Sequence, residues 1–193
     1  MINIAIFASG SGSNAQKIAE HFQGSSDIRV SLILTNNPTA FVLERAEKLD
    51  IPSHIFNRET FYKSTDVVDV LKNNNIDFVV LAGFMWLVPG YLVEAYPNKI
   101  VNIHPALLPK FGGKGMYGDH VHNAVKQAGV KETGITIHYV NEHYDEGNII
   151  FQSKCEVVEN DTPQTIAEKV HALEYQHYPN VIEEVILKSL KNS

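Results

Sequence analysis

The sequence predicts an α/β fold, Rossmann-like and three-layered, with a mostly parallel central sheet and an antiparallel C-terminal extension. Three observations predict it. Short apolar, β-branched runs alternate with longer amphipathic ones over the first hundred residues, the pattern of βα units in a parallel sheet covered on both faces. A glycine-rich loop, Ser9-Gly10-Ser11-Gly12-Ser13-Asn14, joins the first strand directly to the first helix. Then the rhythm changes. Ile135-Thr-Ile-His-Tyr-Val140 alternates cleanly and is followed, after Asp145-Glu-Gly-Asn148, by a second extended run, which reads as an antiparallel pair.

Taken in order, Ile2 to Ala8 is the first strand and Asn14 to Phe22 the first helix. Val30 to Thr35 and Ser53 to Phe56 are strands on either side of a helix from Ala40 to Leu49, with Pro38 near its start. Glu59 to Asn73 reads as one helix, Phe78 to Ala82 as a fully apolar buried strand, and Pro89 to Tyr96 as a short helix. Ile100 to Ile103 is the next strand and Tyr117 to Ala128 the next helix. After Ile149 to Val158, Thr162-Pro163 caps a long helix from Gln164 towards Leu190, with a kink expected at Pro179. No linker, repeat or low-complexity tract interrupts this order, so one domain spanning 1–193 is expected. Within it, residues 1–100 would form a phosphate-binding half and residues 101–193 a catalytic half.

Composition narrows the chemistry. The chain is 44% hydrophobic and 20% charged, as in ordinary globular proteins, and its net charge is −6. No basic patch stands out, so nucleic acid is not an expected partner. The N-terminus lacks a secretory signal pattern and no apolar run approaches a membrane span of about 20 residues. The single Cys155 cannot form an internal disulfide. A cytoplasmic protein without membrane contact, monomer or homodimer, is expected.

Two segments carry the chemistry. The glycine loop places free N–H groups and a helix N-terminus at the end of a strand, a cradle for phosphate. It also fits G-x-G-x-x-A through Gly10, Gly12 and Ala15, the dinucleotide fingerprint. That fingerprint wants an acidic residue at the end of the second strand, where this chain has Thr35-Asn36-Asn37. The second segment is Lys99-Ile-Val-Asn-Ile-His-Pro-Ala-Leu-Leu-Pro109. Asn102 and His104, two apart, share one face where the strand ends. A carboxamide can hold a developing oxyanion and an imidazole can move a proton. Asp145, in the turn between the last two strands, would raise the imidazole's pKa and favour its charged form. No serine or cysteine is placed beside His104 as a nucleophile, so direct transfer to a substrate nucleophile is expected. His120 and His122 sit two apart on a helix and do not share a face, so no metal site is expected.

Together these segments resemble the phosphoribosylglycinamide formyltransferase family. The resemblance covers essentially the whole chain. It runs through the Ser-Gly-x-Gly-Ser-Asn loop, Ala40-Phe-x-Leu-Glu-Arg-Ala46, Val80-Leu-Ala-Gly-Phe-Met85 and Asn102-Ile-His-Pro-x-Leu-Leu-Pro109. It continues in Gly134-x-Thr-x-His138, Asp145-x-Gly147 and Glu174 ahead of Tyr178-Pro179. What it implies is a formyltransferase fold that transfers the formyl group of 10-formyltetrahydrofolate, the co-substrate, to the amine of phosphoribosylglycinamide in purine synthesis. By this resemblance Asn102, His104 and Asp145 are catalytic, and Gly12, Ser13, Asn14 and Glu174 bind the ribonucleotide. Arg58, Met85, Trp86, Leu87, Val88 and Asn102 would bind the folate, with His138 supporting from behind. The partners implied are these small molecules. The chain departs from the family at Trp86, where an arginine is usual, and over residues 111–122, whose glycines make a mobile lid. Either Lys110 or Lys114 would reach phosphate.

Overall fold

The computed structural model describes residues 1–191. Its first half runs β1 (Ile2–Phe7), α1 (Ser13–Phe22), β2 (Ile28–Thr35), α2 (Val42–Lys48), β3 (Ser53–Ile55), α3 (Arg58–Tyr62), α4 (Asp66–Asn73) and β4 (Phe78–Leu81). There follow α5 (Gly90–Ala95), β5 (Ile100–His104), α6 (Asp119–Gln127), β6 (Glu132–Tyr139), β7 (Ile149–Glu156) and α7 (Pro163–Lys191). The seven strands form one sheet in the order β3-β2-β1-β4-β5-β6-β7. The first five are parallel, and β6 and β7 are added antiparallel. This is the expected three-layer architecture.

Side-chain alternation builds both faces. Ile4, Ile6 and Ala8 point into a core shared with Ala15 and Ile18 of α1, Val42 of α2, Val121 of α6 and Ile182 of α7. Ala5 and Phe7 point the other way, against Phe61 of α3, Leu71 of α4 and Leu92 of α5. Because β1 is buried on both sides, it reads as a continuous apolar run rather than an alternating one. Tyr178 of α7 is fully buried and donates its hydroxyl to the Leu81 carbonyl at 2.8 Å, with Val101 O at 3.3 Å. It ties the last helix to the ends of β4 and β5.

Two element expectations are corrected. The single helix expected over Glu59–Asn73 is two helices. The Ser64 hydroxyl donates to the Thr60 carbonyl at 2.9 Å and accepts the Asp66 N–H at 3.2 Å, so the side chain takes over backbone partners and restarts the helix. The helix expected from Tyr117 begins at Asp119, after Gly118 with φ +52°. At the other end the Thr162–Thr165 pair caps α7 reciprocally, through Thr162 N–H to Thr165 Oγ1 at 2.9 Å and Thr165 N–H to Thr162 Oγ1 at 3.2 Å. α7 then continues through Pro179.

Candidate active site

In an open α/β sheet, ligands bind beyond the carboxyl ends of the strands where the strand order reverses. Here that point lies between β1 and β4, and a cavity of about 470 Å³ opens there. Its wall is drawn from distant parts of the chain: the loop after β1, residues 81–88 after β4, the end of β5, residues 113–119, the β6–β7 turn, and His171 and Glu174 of α7.

The loop expected to cradle phosphate forms because Gly12 adopts φ +71°, turning the chain from strand into helix within a few residues. A Cβ there would lie 2.4 Å from Val42 Cγ2, so α2 packs directly on the glycine. The Val42 N–H donates to Gly10 O at 3.1 Å, and Arg45 Nε donates to Ser11 O at 2.7 Å while its guanidinium also reaches Gln16. These bonds fix the loop from outside and leave the first-turn N–H groups of α1 without helical acceptors. Asn14 Nδ2 donates to Glu174 Oε2 at 2.8 Å. The carboxylate of α7 is thereby joined to the cradle, and Asn14 Oδ1 is buried without a partner.

The catalytic candidates lie on β5 and β6. Asn102 pairs with His138 and His104 with Thr136 across the antiparallel ladder, so all four face one way. His138 Nδ1 donates to Tyr139 O at 2.8 Å, which leaves Nε2 to accept from Asn102 Nδ2 at 3.2 Å. His104 Nε2 donates to Phe111 O at 2.7 Å, and a carbonyl can only accept, so Nδ1 is the nitrogen that keeps a lone pair. Nδ1 lies 3.5 Å from Asp145 Oδ2, and His138 Nε2 lies 3.6 Å from Asp145 Oδ1. The Gly113 N–H donates to Asp145 Oδ2 at 3.0 Å.

Charge in this cluster is set by competition. Burial acts to push the Asp145 carboxyl up, but His138, His104 and the Gly113 N–H together hold it below the usual carboxylate value. Burial is also the largest influence on His104 and holds it below the ordinary imidazole value, although Asp145 and the Phe111 carbonyl pull upward. The sequence-based expectation of a charged His104 is thus corrected. Asp145 acts in the expected direction, and desolvation outweighs it.

Of the residues assigned to folate, Met85, Trp86, Leu87 and Val88 line the cavity. Two of their backbone groups are already engaged. Met85 N–H donates to Ser9 Oγ at 3.0 Å, and the Leu87 carbonyl accepts from the Tyr62 hydroxyl at 3.0 Å. Arg58 does not line the cavity. Its guanidinium lies over Tyr62 and Trp86, 5.4 and 5.8 Å from the ring centres, stacked on the outer side of that wall. Lys114 lines the cavity and Lys110 does not.

Several lining residues had no sequence signal. Asn141, His143 and Tyr144 enter through the β6–β7 turn, and His122 and His171 through α6 and α7. For His122 the sequence raises only the question of a metal, and nothing local marks it as facing a cavity.

The formyl transferase family matches residues 2–182. The chloroplastic phosphoribosylglycinamide formyltransferase of Arabidopsis thaliana is 43% identical over 97% of the chain, which spans 66% of that relative. The phosphoribosylglycinamide formyltransferase of Bacillus subtilis is 38% identical over 96% of the chain and 95% of its own length. The crystal structure of the Bacillus halodurans phosphoribosylglycinamide formyltransferase superposes with a TM-score of 0.86 at 41% identity, covering 97% of this chain and 96% of that one. The chain belongs to the formyl transferase family.

Proposed function

We propose that this enzyme transfers a formyl group from 10-formyltetrahydrofolate to the amine of phosphoribosylglycinamide, a step of purine biosynthesis. The observation that carries the reading is one cavity holding both an anion cradle at a helix N-terminus and the Asn102–His104–Asp145 cluster. Among the described residues no hydroxyl or thiol hydrogen-bonds to His104, whose nitrogens face Phe111 O and Asp145. A nucleophile must therefore arrive with a substrate, and the cradle holds a phosphorylated one. The wall at Phe84–Val88, aromatic and partly apolar, fits a flat heteroaromatic ring. The folate supplies an activated formyl carbon.

The residues divide the work. Gly12, Ser13 and Asn14 hold the acceptor's phosphate, and Glu174 receives its polar end. Asn102, with one amide hydrogen fixed by His138, keeps a second for the oxygen on which negative charge develops. His104 takes the amine's proton on Nδ1 and returns it to the folate nitrogen as that nitrogen's bond to the formyl carbon breaks, while Asp145, already ionised and 3.5 Å away, stabilises the imidazolium between the two transfers. Trp86 and its neighbours exclude water from one side. The single cysteine suits a reducing compartment, and the cytoplasm is the proposed location.

Formyl transfer assayed with and without phosphoribosylglycinamide tests this reading. Transfer that depends on the ribonucleotide is expected. Formate release at an equal rate without it would replace the transferase with a hydrolase.

A further inference from the structure

The cavity has a shortage of fixed positive charge for the ligand it is read to hold. Lys114 is the only lysine or arginine lining it among the described residues, whereas Asp119, Asp145 and Glu174 all do. Histidines fill the gap: His104, His122, His138, His143 and His171 line it. His104 and His138 are committed to the catalytic cluster. His122 is not. It projects from α6, is 3% exposed, and its Nδ1 is buried without a hydrogen-bond partner. Its ring centre lies 6.3 Å from that of His171. His171 Nδ1 is 2.9 Å from Glu174 Oε2, the same oxygen that accepts from Asn14 of the phosphate cradle. A line of hydrogen bonds therefore runs from the N-terminus of α1 through Asn14 and Glu174 to His171, whose ring stands edge-on to that of His122.

We propose that His122 is a further binding residue for the acceptor's phosphate, taking up a proton from solvent as the dianion enters, with His171 beside it as the companion charge. The inference rests on the function proposed above.

The surroundings make the uptake conditional on ligand. Facing His122 are His171 and Glu174 from α7, His104 from β5 and Asp119 from its own helix. Burial first, and then the neighbouring His171, hold the imidazole below its ordinary value, with Glu174 and Asp119 opposing. His171 is raised, chiefly by its hydrogen bond to Glu174, and Asp119 adds to this. A proton shared by the pair is therefore favoured on His171 over His122. A phosphate dianion brought alongside adds the opposite charge that burial alone denies His122, so the second proton binds with the ligand. No covalent bond changes, and the proton comes from solvent.

The test is calorimetric titration of the full chain with phosphoribosylglycinamide and with ribose 5-phosphate, in buffers of different ionisation enthalpy, at pH 7.5 and above. There a phosphate monoester is already dianionic, its second pKa being about 6, and ribose 5-phosphate carries no amine to contribute protons. Wild-type protein should take up a proton on binding ribose 5-phosphate, its Kd rising by up to about tenfold per pH unit. His122→Gln should reduce the uptake and flatten that slope. NMR titration of the His122 ring in wild-type protein gives the same answer without a variant, as a shift to higher pH on adding ribose 5-phosphate. Undiminished uptake in His122→Gln, or an unmoved His122 titration, overturns the proposal while leaving the transferase reading intact if formyl transfer persists. Absence of both saturable binding and transfer overturns the two together.

Discussion

His104 is held at both nitrogens, and its behaviour follows from which neighbour is stronger. The Phe111 carbonyl fixes the proton on Nε2, and Asp145 waits at 3.5 Å for a proton to reach Nδ1. Burial holds the ring below the ordinary imidazole value and Asp145 opposes this, so removing the carboxylate charge lowers the value further. Asp145→Asn is therefore expected to cut kcat by about 10²–10⁴-fold and to move the acidic limb of the kcat/KM profile to lower pH. A limb that moved upward would remove Asp145 as the group that stabilises the imidazolium. His104→Ala should lose turnover to a similar degree, with unchanged circular dichroism; near-normal turnover would take His104 out of the mechanism. Asn102 and His104 were legible as a pair because strand period alone places them on one face. His138 has its supporting role from the resemblance alone, since strand period does not show the register that sets it opposite Asn102.

The elements carry these side chains through a few contacts that sequence period does not encode. Gly12 is one. With φ +71° and Val42 against it, Gly12→Val combines backbone strain with overpacking, each of order 1–3 kcal/mol. A lower Tm and at least a severalfold higher KM for the ribonucleotide are expected, since the displaced helix N-terminus is the proposed anion site; an unchanged KM would count against the cradle. Tyr178 is another. Its hydroxyl bonds where β4 and β5 enter the cavity, so Tyr178→Phe should cost about 1–2 kcal/mol in urea unfolding. A third contact closes the start of α7. Lys169 Nζ lies 2.6 Å from Asp161 Oδ2, and this pairing, with the Val158 N–H, holds the Asp161 carboxyl down to about 2 against burial. A depressed carboxylate stabilises the fold above its unfolded value and loses that contribution as pH falls towards about 2. Acid unfolding of Asp161→Asn should accordingly show a shallower pH dependence between about 4 and 2; an identical curve would mean that the pair contributes nothing to folding.

At the scale of the whole molecule, strand direction was readable because the βα rhythm and its late change to alternation are local signals. The break at Ser64 was not, because one hydroxyl captured a carbonyl inside a well-patterned helix. Nor were His122, His143 and His171 readable as cavity residues, because α6, α7 and the β6–β7 turn meet the phosphate loop only after the sheet has closed. That closure has a thermodynamic consequence. The cradle belongs to the first βα unit, and Glu174 to the last helix, yet Asn14 and Glu174 bond at 2.8 Å inside one cavity. A ligand seated there contacts the beginning and the end of the chain at once, so it binds the folded state and has no equivalent site in the unfolded chain. Phosphoribosylglycinamide at a hundred times its Kd should then raise stability by about 2.7 kcal/mol, or roughly 5–10 °C in Tm for a chain of this length. The shift should grow with the logarithm of ligand concentration and shrink in Gly12→Val. Glu174→Ala should diminish it too, although that change lies 160 residues away in sequence from Asn14. A full shift in Glu174→Ala would show that the two ends of the chain meet in the cavity without sharing the ligand.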